Sequence, residues 1–287
     1  MTTFHRIGRA FTGAALLALS VTLSTDAFAA GDGCDLCKSI DGYVDPSEID
    51  REVSMMVGVY NGGSGDDNVA VQKTRGVIET GLVTAFADGG HCPEIDSEAW
   101  AIDYSHKRLG AALHKGVDIP QPRGTAIRAI AAGVVVGKSR NRRSRKGIEV
   151  VLRHRPEETG LTFWTYSQYT HLEDMSPLAI GAAVAMGDAI GSTSNSGKQG
   201  KRERRDALHF AVLYSPVPEW SNDGKAVLPK EGRFMDPIAF YRLSGPWESV
   251  AVGKLPNAEK QISVPWTDAD GKTTPPDTKR IWPYPCQ

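Results

Sequence analysis

The chain has 287 residues, 40% hydrophobic and 23% charged, enough to bury a sizeable core and to exclude wholesale disorder. Its 33 Lys and Arg are matched by 34 Asp and Glu, so the net charge of -1 gives no global attraction to nucleic acid or to an anionic membrane. Any basic function has to be local.

Arg6 and Arg9 precede an apolar stretch from Ala10 to Leu23 and then Ala27-Phe28-Ala29, the order of a secretory signal peptide cleaved after Ala29 or Ala30. The stretch is shorter than the ~20 residues of a bilayer-spanning helix. The expectation is an exported protein, periplasmic or extracellular, with residues 1–29 removed and no stable membrane span; an uncleaved anchor is the alternative. Cys34, Cys37, Cys92 and Cys286 all lie beyond this segment. In an oxidising compartment they are disulfide candidates, with three pairings left open by the sequence. Cys34-Asp35-Leu36-Cys37 has redox spacing but no strand before it to build a thioredoxin-like site, and Cys92 and Cys286 lack the second close pair of a four-cysteine zinc site.

Residues 30–100 read as an N-terminal subdomain with one helix. Asp45-Pro46-Ser47-Glu48 offers a cap, a proline at the first turn and a Glu at the third position, followed by Ile49, Val53, Met56, Val57 and Tyr60 at helical spacing. Asn61-Gly62-Gly63 should stop it. The type of Asn68 to Phe86 stays open, because its apolar residues fit either period. From 101 to 244 short strand-like runs are separated by turn residues: Thr125 to Ile130, Gly133 to Val136, Ile148 to His154, Thr162 to Tyr169, Ala182 to Met186 and Leu208 to Tyr214. None is joined to the next by a crossover helix, so an antiparallel, mainly β domain is expected. Residues 245–287 form an irregular tail, expected on the surface and pinned through Cys286.

Among seven histidines, His114 stands out in His114-Lys115-Gly116-Val117-Asp118, where imidazole and carboxylate suit two positions of a zinc ion. That pair alone is a common accident. It is followed by Ile119-Pro120, Gly124-Thr125-Ala126, Ala131-Ala132-Gly133-Val134-Val135, Tyr169-Thr170-His171-Leu172, Ile180-Gly181, Ile190-Gly191, Asn195-Ser196-Gly197 and Leu208-His209-Phe210. These blocks, in this order, resemble the lysostaphin-type, or LytM-type, zinc metallopeptidases that cleave peptidoglycan, over roughly Ala112 to Val212. The resemblance implies a compact antiparallel β-sheet metallopeptidase domain, duplicated hybrid motif-like, with a small N-terminal elaboration.

It also implies one zinc per chain on His114, Asp118 and His209, with His171 as the catalytic histidine and peptidoglycan stem peptides or cross-links as substrate. Tyr169 and Lys115 are candidates for substrate contact. The family's closing motif has a second histidine two residues before the last ligand, and here that residue is Ala207, which can neither take nor give a proton. On a strand, residues 207 and 209 share a face, so a polar role in the site is left empty. Asp206, on a bulged strand, or His154, His106 or His91 are the candidate substitutes.

Two basic runs, Lys138 to Lys146 and Lys198 to Arg205, read first as solvated hairpin loops and second as groove walls that attract anionic wall polymers. Neither carries the interleaved aromatics of a nucleic-acid surface. Trp164 and Tyr166 share a strand face and read as core, while four other tryptophans patch core to tail. The leading segment, residues 34 to 97, could shield the groove. The main reading is a zinc-dependent endopeptidase of peptidoglycan cross-links. The alternative is a catalytically impaired, zinc-retaining protein that binds peptidoglycan or regulates a hydrolase.

Overall fold

The computed structural model describes residues 1, 34–57, 65–95, 104–105, 107–108, 112–141, 145–198 and 205–287. The expected signal peptide, Tyr60 and the glycine stop after it, His106, and residues 142–144 and 199–204 of the basic runs lie outside these. Among the described residues, no helix is long and apolar enough to cross a membrane.

The expected single helix over 45–60 is broken in two. Asp45 and Glu48 do form a capping box, but it caps only a 3-10 turn, Pro46–Glu48, after which Ile49 turns extended. The helix proper, α1, is Arg51–Val57, and the side chain of Asp50 accepts from the Val53 amide at 2.9 Å as a second start signal. It buries Val53, Met56 and Val57. The segment of open type resolves into α2 (Gly65–Thr74) and a strand, β1 (Val83–Phe86).

The strands β2 (Lys107–Arg108), β3 (Ala112–Leu113), β4 (Val117–Pro120), β5 (Ala126–Arg128), β6 (Gly133–Asn141), β7 (Gly147–His154) and β8 (Trp164–Thr170) follow. Then come β9 (Ala183–Val184), β10 (Ala189–Ser192), β11 (Ala207–Ser215), β12 (Trp220–Asn222), β13 (Val227–Pro229), β14 (Arg233–Met235) and β15 (Gln261–Val264). The central sheet has seven strands in the order β14-β11-β8-β7-β6-β9, with β4 also on β11. Every pairing in it is antiparallel, so the fold is mainly β and antiparallel, as expected.

Alternation along these strands divides the side chains. One face carries Tyr169, Phe210, Val150, Leu152 and Ile119, all without exposed surface. The other carries Asp118, His209, Thr170 and Glu149 at one end and Tyr166 and Leu213 further along. The guanidinium of Arg153 stacks 3.7 Å over Trp164 on this second face.

The tail corrects its expectation. Ile281, Trp282 and Tyr284 are fully buried, β15 pairs in parallel with β1, and the Tyr284 and Thr193 hydroxyls meet at 2.6 Å. Isolated aromatics fill core gaps here, so no periodic apolar face appears in the sequence. The cysteines pair as Cys34–Cys37 and Cys92–Cys286. The second bond spans 194 residues of sequence and ties the tail to the segment after β1.

Candidate metal centre

Gly116 is why the metal-site motif closes. A Cβ on it would overlap the Phe210 carbonyl oxygen and stand 2.9 Å from its carbon, so only glycine lets the turn into β4 lie against β11. The register then sets Asp118 opposite His209. His114, just before that turn, swings its ring onto the same spot. Its Nε2 lies 2.9 Å from His209 Nδ1 and 3.3 Å from Asp118 Oδ1, and His209 Nδ1 lies 2.8 Å from the same oxygen.

These three side chains are the group of His, Cys, Asp and Glu residues able to hold a metal among those described. A tetrahedral zinc with bonds of about 2.0–2.1 Å needs donor atoms about 3.3 Å apart. The observed separations, 2.8 to 3.3 Å, are slightly tighter, close enough that the three donors would share one zinc. Two imidazoles and a carboxylate are also the donor set zinc accepts. Burial works to raise the Asp118 carboxyl, but the charges and hydrogen bonds of His114 and His209 outweigh it and hold the group well below the usual range. It is therefore ionised, the form that ligates.

His171 follows the end of β8 in a left-handed conformation, φ 69°, which turns its ring to 5.9 Å from that of His209, centre to centre. Its Nδ1 lies 3.1 Å from the carbonyl oxygens of both Lys146 and Ser196. Carbonyls only accept, so Nδ1 carries a proton and donates to them. Gly147, at φ 71°, makes this possible, because a side chain there would run into Ser196.

The other site candidates are placed elsewhere. Tyr169 has no exposed surface and its hydroxyl accepts from the Ile130 amide at 3.1 Å; it lies on the opposite sheet face and packs the core rather than meeting substrate. Lys115 directs its ammonium to the carbonyls of Met56 and Val57, at 2.8 and 3.4 Å, at the end of α1. Burial, first, and the Lys146 charge push it down to about 7. Asp206 accepts from Arg123 Nη2 at 2.9 Å, a guanidinium that also donates to Asn195.

His154 cannot replace the missing group. It lies five residues along β7 from the row of the ligands, fully buried, with Nδ1 2.6 Å from the Ala132 carbonyl and Nε2 2.7 Å from Ser167 Oγ. His91 is exposed and joined through its backbone to Gln287. Ala207 itself is buried, opposite Pro120.

Sequence reasoning missed Glu149. The register places Glu149, Thr170, His209 and Asp118 side by side on β7, β8, β11 and β4, so this buried carboxylate shares a row with the ligands. It is 2.9 Å from Lys146 Nζ, the residue whose carbonyl holds His171. Only the cross-strand register reveals it, and nothing local in the sequence does.

Residues 112–229 match the model of peptidase family M23. Similar solved structures include the catalytic domain of the antimicrobial peptidase lysostaphin from Staphylococcus simulans, at 20% identity over 45% of this chain and 84% of that one, TM-score 0.33. Another is a catalytic-domain variant of the prophage-encoded M23 protein EnpA from Enterococcus faecalis, at 19% identity over 52% and 94%, TM-score 0.34. A zinc-containing peptidase from Vibrio cholerae aligns at 21% identity over 54% and 40%, TM-score 0.31. No curated protein matches the chain.

Proposed function

We propose that this chain is an exported, zinc-holding M23-domain protein that binds peptide cross-links of bacterial peptidoglycan and hydrolyses them poorly, acting as a wall-binding or hydrolase-regulating protein. The observation that carries this reading is an intact, compact ligand triad beside Ala207, with Asp206 and His154 both engaged elsewhere. Export accords with two disulfides.

His114, Asp118 and His209 would hold the metal, which when bound polarises a peptide carbonyl and lowers the pKa of a bound water. His171, with Nδ1–H fixed on two carbonyls, would orient water and take a proton at Nε2. Ala207 offers no atom for a second proton transfer or for a hydrogen bond to developing negative charge. A lost acid or base group of this kind costs about 10²- to 10⁴-fold in rate, while substrate binding and the ligand set persist.

The second reading is a working endopeptidase, favoured by the fixed His171 ring and by Glu149 in the ligand row. Mass-resolved release of muropeptides from purified peptidoglycan separates the two, measured beside sedimentation of the protein with the same material. The parent chain should sediment with peptidoglycan but release little, and Ala207→His should raise release about 100-fold or more. Fast release by the parent, unchanged in Ala207→His, would establish the working enzyme instead.

A further inference from the structure

Asp118 and His209 are placed by the register of β4 on β11, and His114 lies just before β4. Residues 113 to 115 are tied to chain that precedes the M23 match. The Leu113 amide donates to Gln72 Oε1 of α2 at 2.9 Å. The carbonyl of His114 accepts from the Ser105 amide at 2.8 Å. Lys115 donates to the last carbonyls of α1. Three consecutive residues centred on a metal ligand are thus each tied to chain that precedes the M23 match.

The ties are firm at their far end. Gln72 is 3% exposed, and its own carbonyl accepts from Val77 at 2.9 Å. The Arg75 carbonyl, just past α2, accepts from Phe234 of β14 at 2.8 Å. The scaffold runs from β14 through α2 to Leu113, and so returns to the sheet that carries His209. Its amide groups are buried, where a lost partner is costly and small displacements are not absorbed by water.

We propose that the N-terminal region is a working part of the metal centre and not a detachable cover, with Gln72 and Lys115 as positioning residues for His114. This rests on the reading of His114 as a ligand. It reverses the consequence of a simple shielding role: removing the region should cost the site its metal rather than uncover an active groove.

Zinc affinity of the full chain, measured by competition with a chromophoric chelator, tests it. Gln72→Met keeps the shape and removes the acceptor, Gln72→Glu keeps an acceptor oxygen, and Lys115→Met removes the tie to α1. Thr80→Val is the control, since Thr80 bonds Asp236 beside β14 without touching residues 113 to 115. Gln72→Met and Lys115→Met should each weaken zinc binding about tenfold or more, while Gln72→Glu and Thr80→Val stay within about threefold of the parent. Parent-like affinity in Gln72→Met, or an equal loss in Thr80→Val, would overturn the proposal. A parent chain that binds no zinc would instead refute the ligand reading, and this inference with it.

Discussion

Replacing Gly116 by Ala tests whether close approach of β4 to β11 builds the metal centre. Without sterics the change should help, because alanine narrows the unfolded ensemble by about 0.4–1 kcal/mol. Here the added Cβ would overlap the Phe210 carbonyl oxygen and lie 2.9 Å from its carbon and 3.0 Å from Ala211 Cβ. Carbon atoms rest at about 3.5–4.0 Å, so the turn has to retreat by about 0.5–1 Å. Phe210 is bonded on both sides, to β4 and β8, so β11 cannot yield alone. Metal ligands tolerate errors of about 0.2 Å, and Asp118 is only two residues away. We expect a net stability loss of about 1–3 kcal/mol, a melting point lower by about 2–10 °C, and zinc affinity weakened about 100-fold. Thermal melts of metal-free protein and a zinc titration read both. A variant that melts with the parent and binds zinc equally well would show that close approach at Gly116 does not build the site.

Burial pushes His154 down to about 4, against a small opposing effect of its bond to Ala132. From pH about 6.5 to about 4 the unfolded chain takes up a proton that the folded chain refuses, so stability is present above the first value and falls by about 3 kcal/mol as pH drops to the second. Urea unfolding at about pH 7 and about pH 4.5 should show this loss in the parent and much less of it in His154→Asn; equal losses would contradict it. Replacing Cys92 and Cys286 by Ser opens a loop of 194 residues and should cost about 2–5 kcal/mol, far more than the same change at Cys34 and Cys37. Denaturant midpoints compare the two, and equal shifts would be the wrong result. Glu149→Gln removes the buried carboxylate 2.9 Å from partly exposed Lys146 and should lose about 1–3 kcal/mol, which Lys146→Met with Glu149→Leu largely restores. A double variant no more stable than Glu149→Gln would show that the carboxylate does more than balance a charge.

Six strands over 101–244 were legible as apolar runs bounded by glycine or charge, and β7, β8 and β11 fall within a few residues of their sequence bounds, whereas β2, β3, β4, β10, β12, β13 and β14, two to four residues each, are too short to show a period. The ligand triad was legible only through ordered motif blocks, since His114 and His209 are brought together by a pairing that no local pattern encodes. The helix boundary failed at Ile49, where the capping box at Asp45 competes with a second start at Asp50. Tyr169 failed as a contact because alternation puts it opposite His209's face, a consequence that depends on knowing which register β8 takes. Gln72 and Glu149 were invisible for the same reason: Gln72 meets Leu113 across 41 residues of sequence, and only the pairing of β7 with β8 sets Glu149 in the ligand row. The tail was misplaced because Trp282 and Tyr284 pack singly, with no repeat to mark them as core.

The ligand assignment of His114, Asp118 and His209 is tested most directly by the zinc content of the purified chain, by mass spectrometry under native conditions, for the parent, Asp118→Ala, His209→Ala and His171→Ala. One zinc is expected in the parent, with retention in His171→Ala and loss in the two ligand variants. A metal-free parent after equilibration with zinc, or zinc that survives both ligand substitutions, would contradict the assignment.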